Sequence, residues 1–541
     1  MNTPKPTATW RVMQLELALG EDESRLAELA AREIGFARED LRGLRIARKA
    51  LDARFRGASR RMHWIYHVDV VLDAQRRSKR LEQAIRTGRV REAPREAQVV
   101  VERVAPRLRE PGAAPVVIVG AGPGGLFAAW VLARNGVRAV ILERGPKLEE
   151  RSRPLVRFHR TRVVDPERNL LFGEGGAGTY SDGKIYTRVD DPLEVPLLEE
   201  LVTCGAPPGI VYDSLAHIGT DKLHKVLPEL RRRLVELGVE FRFDTRMEGL
   251  VLQGDSVRAV ATTQGEVACS ALVLAPGHSA RDTWAKLEAQ GVPFEAKPFQ
   301  LGLRIEHPQE LIDEGRFGGR IPEVGAASYG LVCKAGDGYP SAFSFCMCPG
   351  GRIVASVSEP GLLCTNGMSN SRHSSPWATA AIVTTFGPRE FGPGAFAGVE
   401  FQRSLERAFF EAGGGDYTAP AQGARDFLDG RETAKPRHST YTFGTRPGRL
   451  DLLLPKLGRD AIARALVQFD RNLRHFSSNE GQFVGLESRS SGPVRMPRDP
   501  LARTSPGFTN LYPVGEGAGH AGGIMSAALD GANSALALLR G

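Results

Sequence analysis

Gly120, Gly122 and Gly125 stand in the spacing G-x-G-x-x-G, directly after the apolar run Val116 to Val119. Glycines so placed suit a phosphate ligand. Gly120 permits the tight turn, Gly122 lets backbone approach a pyrophosphate, and Gly125 lets a following helix pack against the strand. Pro123 and Gly124 complete the turn, and the first N–H groups of the helix face the anion. A second apolar run ends in Glu143 and Arg144, with Glu143 lying 23 residues after Gly120. A carboxylate at that spacing accepts hydrogen bonds from a ribose diol and repels a 2′-phosphate, which disfavours NADP at this site.

Three further segments have the same glycine-rich character. FGEGGAGTYSDGK, residues 172–184, holds five glycines in thirteen residues. That density suits backbone running close to a planar ligand or a pyrophosphate. Its contact candidates are Gly173, Glu174, Gly175, Gly176, Ala177, Gly178 and Thr179, with Ser181, Asp182 and Lys184 as polar side chains beside them. The apolar strand LVLAPG ends in Ala275, Pro276 and Gly277, and TNLYPVGEG ends in Gly515 and Glu516. Gly522, Gly523 and Ile524 open an Ala-rich final helix, and Met247 opens a run of short strands.

These segments resemble the glutathione-reductase-like flavoproteins. In that superfamily a second apolar strand ends in an A-T-G-like turn, and a C-terminal strand ends in G-D, whose acid binds the FAD ribityl chain. Here Pro276 replaces the threonine, and Glu516 replaces the aspartate with a longer carboxylate. Within the superfamily the chain is most similar to the uncharacterised bacterial FAD-dependent dehydrogenases, the NAD(FAD)-utilising dehydrogenases. The segments that carry this are NLLFGEGGAGTYSDGK, AHIGTDKL, APGHSARDT, FCMCPGG, NGMSNSR and GEGAGHAGGIMSAALDG, with the LDAR box at 51–54. The resemblance implies bound FAD and an oxidoreductase, and it supplies no substrate.

The chain's own organisation agrees. One nucleotide-binding βαβ unit is joined to a C-terminal strand and helix that could wrap the distal half of a long dinucleotide. No second G-x-G-x-x-G lies inside a βαβ unit in 280–480, so NAD(P)H is expected at most as a transient electron donor. Lys184 near the flavin N1–C2 edge would stabilise the anionic reduced form. The N-terminus of the final helix would do the same through its free N–H groups.

His217, His278, His307 and His520 are candidate acid/base groups, because histidine titrates near neutrality. His520 has the best location and His278 the next. Cys346 and Cys348 sit in a strand that runs into the turn Pro349-Gly350-Gly351. Regular alternation puts both thiols on one face with Cβ atoms ~7 Å apart, too far for a disulfide. Small buried cysteines are therefore the favoured reading, with a redox or substrate-contact role as the alternative.

The elements that must position these residues follow from composition and periodicity. The 541 residues are 42% apolar and 25% charged, as in ordinary globular proteins. This excludes a disordered chain, a fibrous repeat and a disulfide miniprotein. Six cysteines without a CxxC pair give no sign of zinc. No apolar run of membrane-spanning length and no signal peptide is evident, so a reduced cytoplasmic protein is expected.

Residues 1–110 hold 24 Lys and Arg against 16 Asp and Glu, a net +8 of the chain's +9. Arg45, Arg48, Lys49, Arg54, Arg56, Arg60 and Arg61 form one basic cluster, and Arg76, Arg77, Lys79 and Arg80 a second. Phe55, Trp64 and Tyr66 are nearby, but Trp64 and Tyr66 share a strand face and are expected to pack. A solvated or docked basic face is favoured over a nucleic-acid surface.

The fold class is α/β: a Rossmann-like FAD-binding domain with an inserted mixed α+β cap and a small N-terminal α+β domain. The composition shifts put the N-terminal domain, ferredoxin-like in outline, at 1–110 and the first FAD-binding part at 111–295. The cap, expected to carry the substrate pocket, follows at 296–480, and the C-terminal FAD-binding part at 481–541. The expected reaction is hydride or electron transfer through flavin N5 with a small-molecule substrate. The alternatives are a flavin-dependent monooxygenase and an RNA-modifying or RNA-binding flavoprotein that uses the basic domain.

Overall fold

The computed structural model describes residues 6–56, 59–60 and 62–541. The chain divides into two compact units, one of residues up to 97 together with 190–217, the other of 98–189 with 218–541. Residues 190–217 thus pack with the N-terminal unit, although the composition shift at 111 groups them with the nucleotide-binding part. Among the described residues no helix is long and apolar enough to cross a membrane.

The N-terminal unit is built strand, helix, strand, strand, helix, strand. Its antiparallel sheet runs Gly43–Asp52, His63–Asp73, Thr7–Ala18 and Val90–Glu92 from edge to edge. Alternation in the sequence sets its buried face: Val12, Leu15 and Leu17 pack with Tyr66, Val68, Val70 and Leu72 under the helices. Helix Leu26–Ile34 stops at Gly35, whose φ of 73° a side chain would resist. Helix Lys79–Arg86 starts at Ser78, whose Oγ accepts the Leu81 N–H at 2.9 Å. Much of the basic cluster is ion-paired within the unit: Lys49 with Glu23 at 2.7 Å, Arg54 with Asp52 at 2.6 Å, Arg45 with Asp69 at 3.4 Å, and Arg76 with Asp40. Arg61 lies outside the described residues.

The larger unit is organised on a five-stranded parallel sheet. Its order is Leu511–Pro513, Ala271–Leu274, Val116–Val119, Ala139–Leu142, Glu240–Arg242. The three central strands are wholly buried and read as unbroken apolar runs, because both faces of such a sheet are covered. Helices Pro123–Arg134 and Ile524–Arg540 meet so closely that a Cβ on Gly531 would lie 2.0 Å from the Gly124 carbonyl. Three short antiparallel strands, Met247–Gln253, Ser256–Thr262 and Gly265–Ala268, form a flanking meander.

A seven-stranded mixed sheet makes the rest of the core. Its order is Val332–Cys333, Ala342–Cys348, Trp377–Phe386, Phe299–Pro308, Gln482–Glu487, Ala419–Gly423, Thr445–Pro447. Only the last pair is parallel among the described strands. Helix Lys456–Asn472 contributes Ile462, Leu466 and Phe469 to its core. Gln482–Glu487 is thus a strand of this sheet rather than of the C-terminal nucleotide-binding part that the break at 481 predicts.

Candidate functional site

The first parallel strand ends at Val119, and the turn that follows fixes three glycines for three different reasons. Gly120 has φ 104°, and a Cβ there would lie 2.2 Å from the Ala275 carbonyl oxygen. A Cβ on Gly125 would lie 2.0 Å from the Gly120 carbonyl. Gly122 is different: nothing lies within 4 Å of where its Cβ would be. It is the N-cap of helix Pro123–Arg134 and no side chain caps that helix. Gly120 and Gly125 are therefore demanded by packing, whereas Gly122 faces the open cleft with the helix's positive end behind it.

Glu143 sits at the end of the neighbouring strand, 5% exposed. Its Oε2 accepts the Ala121 N–H at 2.9 Å, and its Oε1 accepts those of Gly145 at 2.8 Å and Gly173 at 2.9 Å. One carboxylate thus pins the phosphate-type turn, its own strand end and the 172–184 loop. Beside it the Arg144 guanidinium lies over the Phe172 ring, 4.2 Å from its centroid, and pairs with Glu167 at 2.7 Å and Asp282 at 2.8 Å.

Two more turns close the far end. The 275–277 turn and the 515–517 turn touch: a Cβ on Gly517 would lie 2.4 Å from the Gly277 carbonyl. Gly515 donates its N–H to Asp530 at 2.8 Å, and Asp530 is held by Arg498 at 3.0 Å. Burial raises the Glu516 carboxyl to about 7, against the opposing pull of Lys297.

A single cleft joins these pieces. Its lining includes Gly120, Gly122, Pro123, Gly124, Glu143, Arg144, Gly176, Ala177, Gly178, Met247, Ala275, Pro276, Gly277, Gly515, Glu516, Gly523 and Ile524, all singled out by sequence. His278 lines it too. Its Nδ1 is 2.8 Å from Ser279 Oγ, and burial, then the charges of Arg489 and Arg281, lower it to about 4.

Other predicted contacts turn away from the cleft. Gly173 is held against Arg151, whose side chain would be 2.8 Å from a Cβ. The Glu174 carboxylate is fully buried and takes the Leu148 N–H at 2.9 Å and Arg231 at 2.8 Å. A Cβ on Gly175 would strike Thr179 Oγ1, which itself donates to the Glu174 carbonyl at 2.9 Å. Ser181 Oγ donates to the Gly178 carbonyl at 2.8 Å. Asp182 pairs with Lys184 and accepts from Ser369, at the end of strand Thr365–Ser369, which pairs with Gly351–Ala355. Gly522 is spent on Ser526 Oγ at 3.2 Å.

His520 donates Nε2–H to the Met496 carbonyl at 2.9 Å, and burial lowers it to about 4. His307 is fully buried, donates to the Phe476 carbonyl at 2.8 Å and stacks on that ring, a packing role. His217 falls in the N-terminal unit. Cys346 and Cys348 are not in regular strand geometry. The pairing register slips between Phe345 and Cys348, and Cys346 has φ 43°. The ~7 Å spacing assumes a regular strand, and a bulge breaks the alternation here.

Sequence reasoning missed two supports. Arg151 is 1% exposed and donates to the carbonyls of Glu174 at 2.6 Å, Gly176 at 3.0 Å and Leu170 at 2.8 Å, which shapes the glycine loop from behind. Arg281 and Arg489 both clamp Glu406, at 2.9 Å and 3.1 Å, and tie the helix beside the cleft to the cap. A lone arginine in an amphipathic helix gives no signal of the first. The second joins residues 125 and 83 positions apart.

Three stretches match known families: residues 113–163 the "FAD binding domain", 206–317 the "FAD dependent oxidoreductase" and 298–490 the "FAD-dependent protein, C-terminal domain-like". An uncharacterized protein of Clostridium beijerinckii is 36% identical over 526 residues, spanning 96% of this chain and 97% of the relative. Among solved structures, a geranylgeranyl bacteriochlorophyll reductase-like protein from Thermoplasma acidophilum superposes with TM-score 0.33 at 11% identity, over 78% of this chain and 77% of that one. Glycine oxidase from Bacillus cereus gives 0.32 at 11% identity, over 79% and 97%. The chain belongs to the family of the Clostridium beijerinckii protein, and it is an FAD-dependent oxidoreductase.

Proposed function

We propose that FAD lies extended along the cleft, in the manner of the glutathione-reductase-like flavoproteins, with the cap sheet supplying the substrate pocket at its far end. The observation that carries this is the open space at Gly122, at the head of an uncapped helix, in the same cleft as Glu143, Gly277 and Glu516. The helix N-terminus offers N–H groups to a pyrophosphate. Glu143 keeps acceptor capacity for a ribose diol, because each carboxylate oxygen has two lone pairs and Oε2 takes one backbone bond. Glu516 and the 275–277 turn border the stretch where the ribityl chain would run. FAD, when bound, supplies two-electron transfer.

The chain's residues hold and orient that group and handle protons beside it. His278 is neutral at pH 7 and lines the cleft, so it is our choice of proton acceptor over His520, whose Nε2 is committed to a carbonyl. No second nucleotide-binding βαβ unit is evident from the sequence, so NADH or NADPH would act by transient docking.

The test is one cuvette. Purified protein should show flavin absorption in the visible, and anaerobic NADH or NADPH should bleach it if either is the donor. A colourless preparation that takes up no FAD on reconstitution overturns the reading.

A further inference from the structure

The strand Ala342–Cys348 pairs regularly with Trp377–Phe386 from Ala342 opposite Thr384 to Phe345 opposite Ala381. Pairing then resumes at Cys348 opposite Thr379, leaving an extra residue bulged between. Cys346 occupies the bulge with φ 43°, a left-handed conformation that non-glycine residues adopt at a cost. This kink turns the Cys348 thiol back onto the residue two before it, where it donates to the Cys346 carbonyl at 3.3 Å.

Cations surround the pair. Arg304, wholly buried on strand Phe299–Pro308 beyond Trp377–Phe386, donates to the Cys346 carbonyl at 3.0 Å and reaches Cys348 Sγ at 3.5 Å. Its charge is shared with Glu487 at 3.0 Å, and Thr379 Oγ1 takes its Nε–H at 2.9 Å. Lys184, at the end of the 172–184 loop, pairs with Asp182, near which His373 Nε2 stands at 3.8 Å, and its charge acts on both cysteines.

The two sulfurs differ. Cys346 is partly exposed, whereas Cys348 is fully buried. The neighbouring Cys348, with the charges of Lys184 and Arg304, holds the Cys346 thiol below its ordinary value. The neighbouring Cys346 and burial push Cys348 up. A partly exposed cysteine beside cations, followed two residues on by a buried one, is an arrangement suited to thiol–disulfide exchange.

We propose that Cys346 and Cys348 form a dithiol–disulfide exchange centre that reduces a small-molecule disulfide, with Cys346 attacking and Cys348 resolving. The Cys346 sulfur bonds to one sulfur of the external disulfide, whose S–S bond breaks, and the first half leaves as a thiolate. Cys348 gives up its proton to that thiolate. Its sulfur then bonds to Cys346, and the second half leaves as a thiolate that takes a proton from solvent. Two electrons pass from the cysteine pair to the substrate, and the pair ends as a disulfide. The proposal rests on the chain's own residues and stands apart from the flavin reading.

The probe is glutathione disulfide, added anaerobically to reduced, full-length protein as purified, followed by peptide mass mapping. The expected product is a Cys346–Cys348 disulfide, two hydrogen masses lighter, with both glutathione halves released. Cys348→Ser should trap glutathione on Cys346. Cys204, Cys269, Cys333 and Cys364 are buried and should stay unmodified. Iodoacetamide labelling of wild-type Cys346 should show a pH midpoint below the ordinary thiol value of about 8.5. Lys184→Met should slow that labelling about tenfold at pH 6 by reducing the thiolate fraction, and Lys184→Arg should restore it. A wild-type protein that forms no Cys346–Cys348 cross-link, or labels at Cys346 with a midpoint at or above the ordinary value, overturns the proposal without recourse to any variant. Glutathione held on wild-type Cys346 without release overturns the resolving role of Cys348.

Discussion

Glu143 accepts the backbone N–H of Gly173 at 2.9 Å across 30 positions of sequence, and this bond docks the second glycine loop onto the first. The carboxylate proposed to meet a ribose thus also holds the walls of the cleft. Glu143→Ala leaves the buried amides of Ala121, Gly145 and Gly173 without their acceptor. At roughly 1–3 kcal/mol for each unsatisfied group, and with partial relief from water, the loss should reach about 3 kcal/mol. Urea titration measures it. A change within about 0.5 kcal/mol would show that the loops are held by something else.

Gly122 and Gly125 separate binding from folding within one motif. A Cβ on Gly125 collides with the Gly120 carbonyl at 2.0 Å, while a Cβ on Gly122 meets nothing within 4 Å. Gly125→Ala should therefore lower the melting temperature and yield little folded protein. Gly122→Ala should melt at or slightly above the wild-type temperature, since alanine costs the unfolded chain entropy, about 0.4–1 kcal/mol in favour of folding. Its FAD affinity should nevertheless fall, by roughly tenfold if the methyl displaces a close phosphate contact. Calorimetric titration of FAD-stripped protein checks the second effect. Unchanged affinity in Gly122→Ala would move the pyrophosphate away from this turn.

What could be read from the residues alone divides by range. The Gly120 turn, Glu143 and the strands around them were legible because spacing within some thirty residues fixes a βαβ unit. The 172–184 loop was legible as backbone close to something, but not in its orientation. Gly176 to Gly178 face the cleft, while Glu174 points at Leu148 and Arg231, and nothing local decides between those faces. The bulge at Cys346 is illegible for a different reason: alternation presumes an unbroken ladder, and the partners at the bulge, Arg304 and Thr379, lie on other strands. The strand Gln482–Glu487 belongs to the seven-stranded sheet because it pairs with Phe299–Pro308, a partner invisible at its own position.

Glu406 should be the costliest single charge to remove. It is wholly buried between Arg281 and Arg489. Burial alone would raise its carboxyl, but the two guanidinium charges outweigh that and hold it well below the usual range. Glu406→Gln takes the shared carboxylate from two buried cations and leaves them Glu359 alone, at 2.8 Å and 3.5 Å, for an expected loss of about 3 kcal/mol in urea titration. A group with a depressed folded-state value stabilises above its unfolded value of about 4.5 and loses that contribution as pH falls. The gap between wild type and Glu406→Gln should therefore narrow steadily below pH 4.5. A gap independent of pH would show that the triad's charge does not matter.

Glu516 carries the opposite sign. Burial raises it to about 7 from an unfolded value of 4.5, with Lys297 only partly opposing. Between those values the folded chain holds a proton that the unfolded chain has lost, so this residue makes stability fall as pH rises through the window. The full effect of one such group is at most about 1.4 kcal/mol per pH unit. Glu487, raised to about 7 by burial against the pull of Arg304, slopes the same way, so removing one group should flatten the profile without levelling it. Glu516→Gln, followed by urea titration of FAD-stripped protein from pH 5 to 7, should give a shallower decline than wild type. Identical slopes would mean that Glu516 stays charged in the folded protein. Adding FAD should then separate two roles. If Glu516 accepts ribityl hydroxyls as a carboxylate, FAD should bind wild type more tightly as pH rises past 7 and bind Glu516→Gln with little pH dependence.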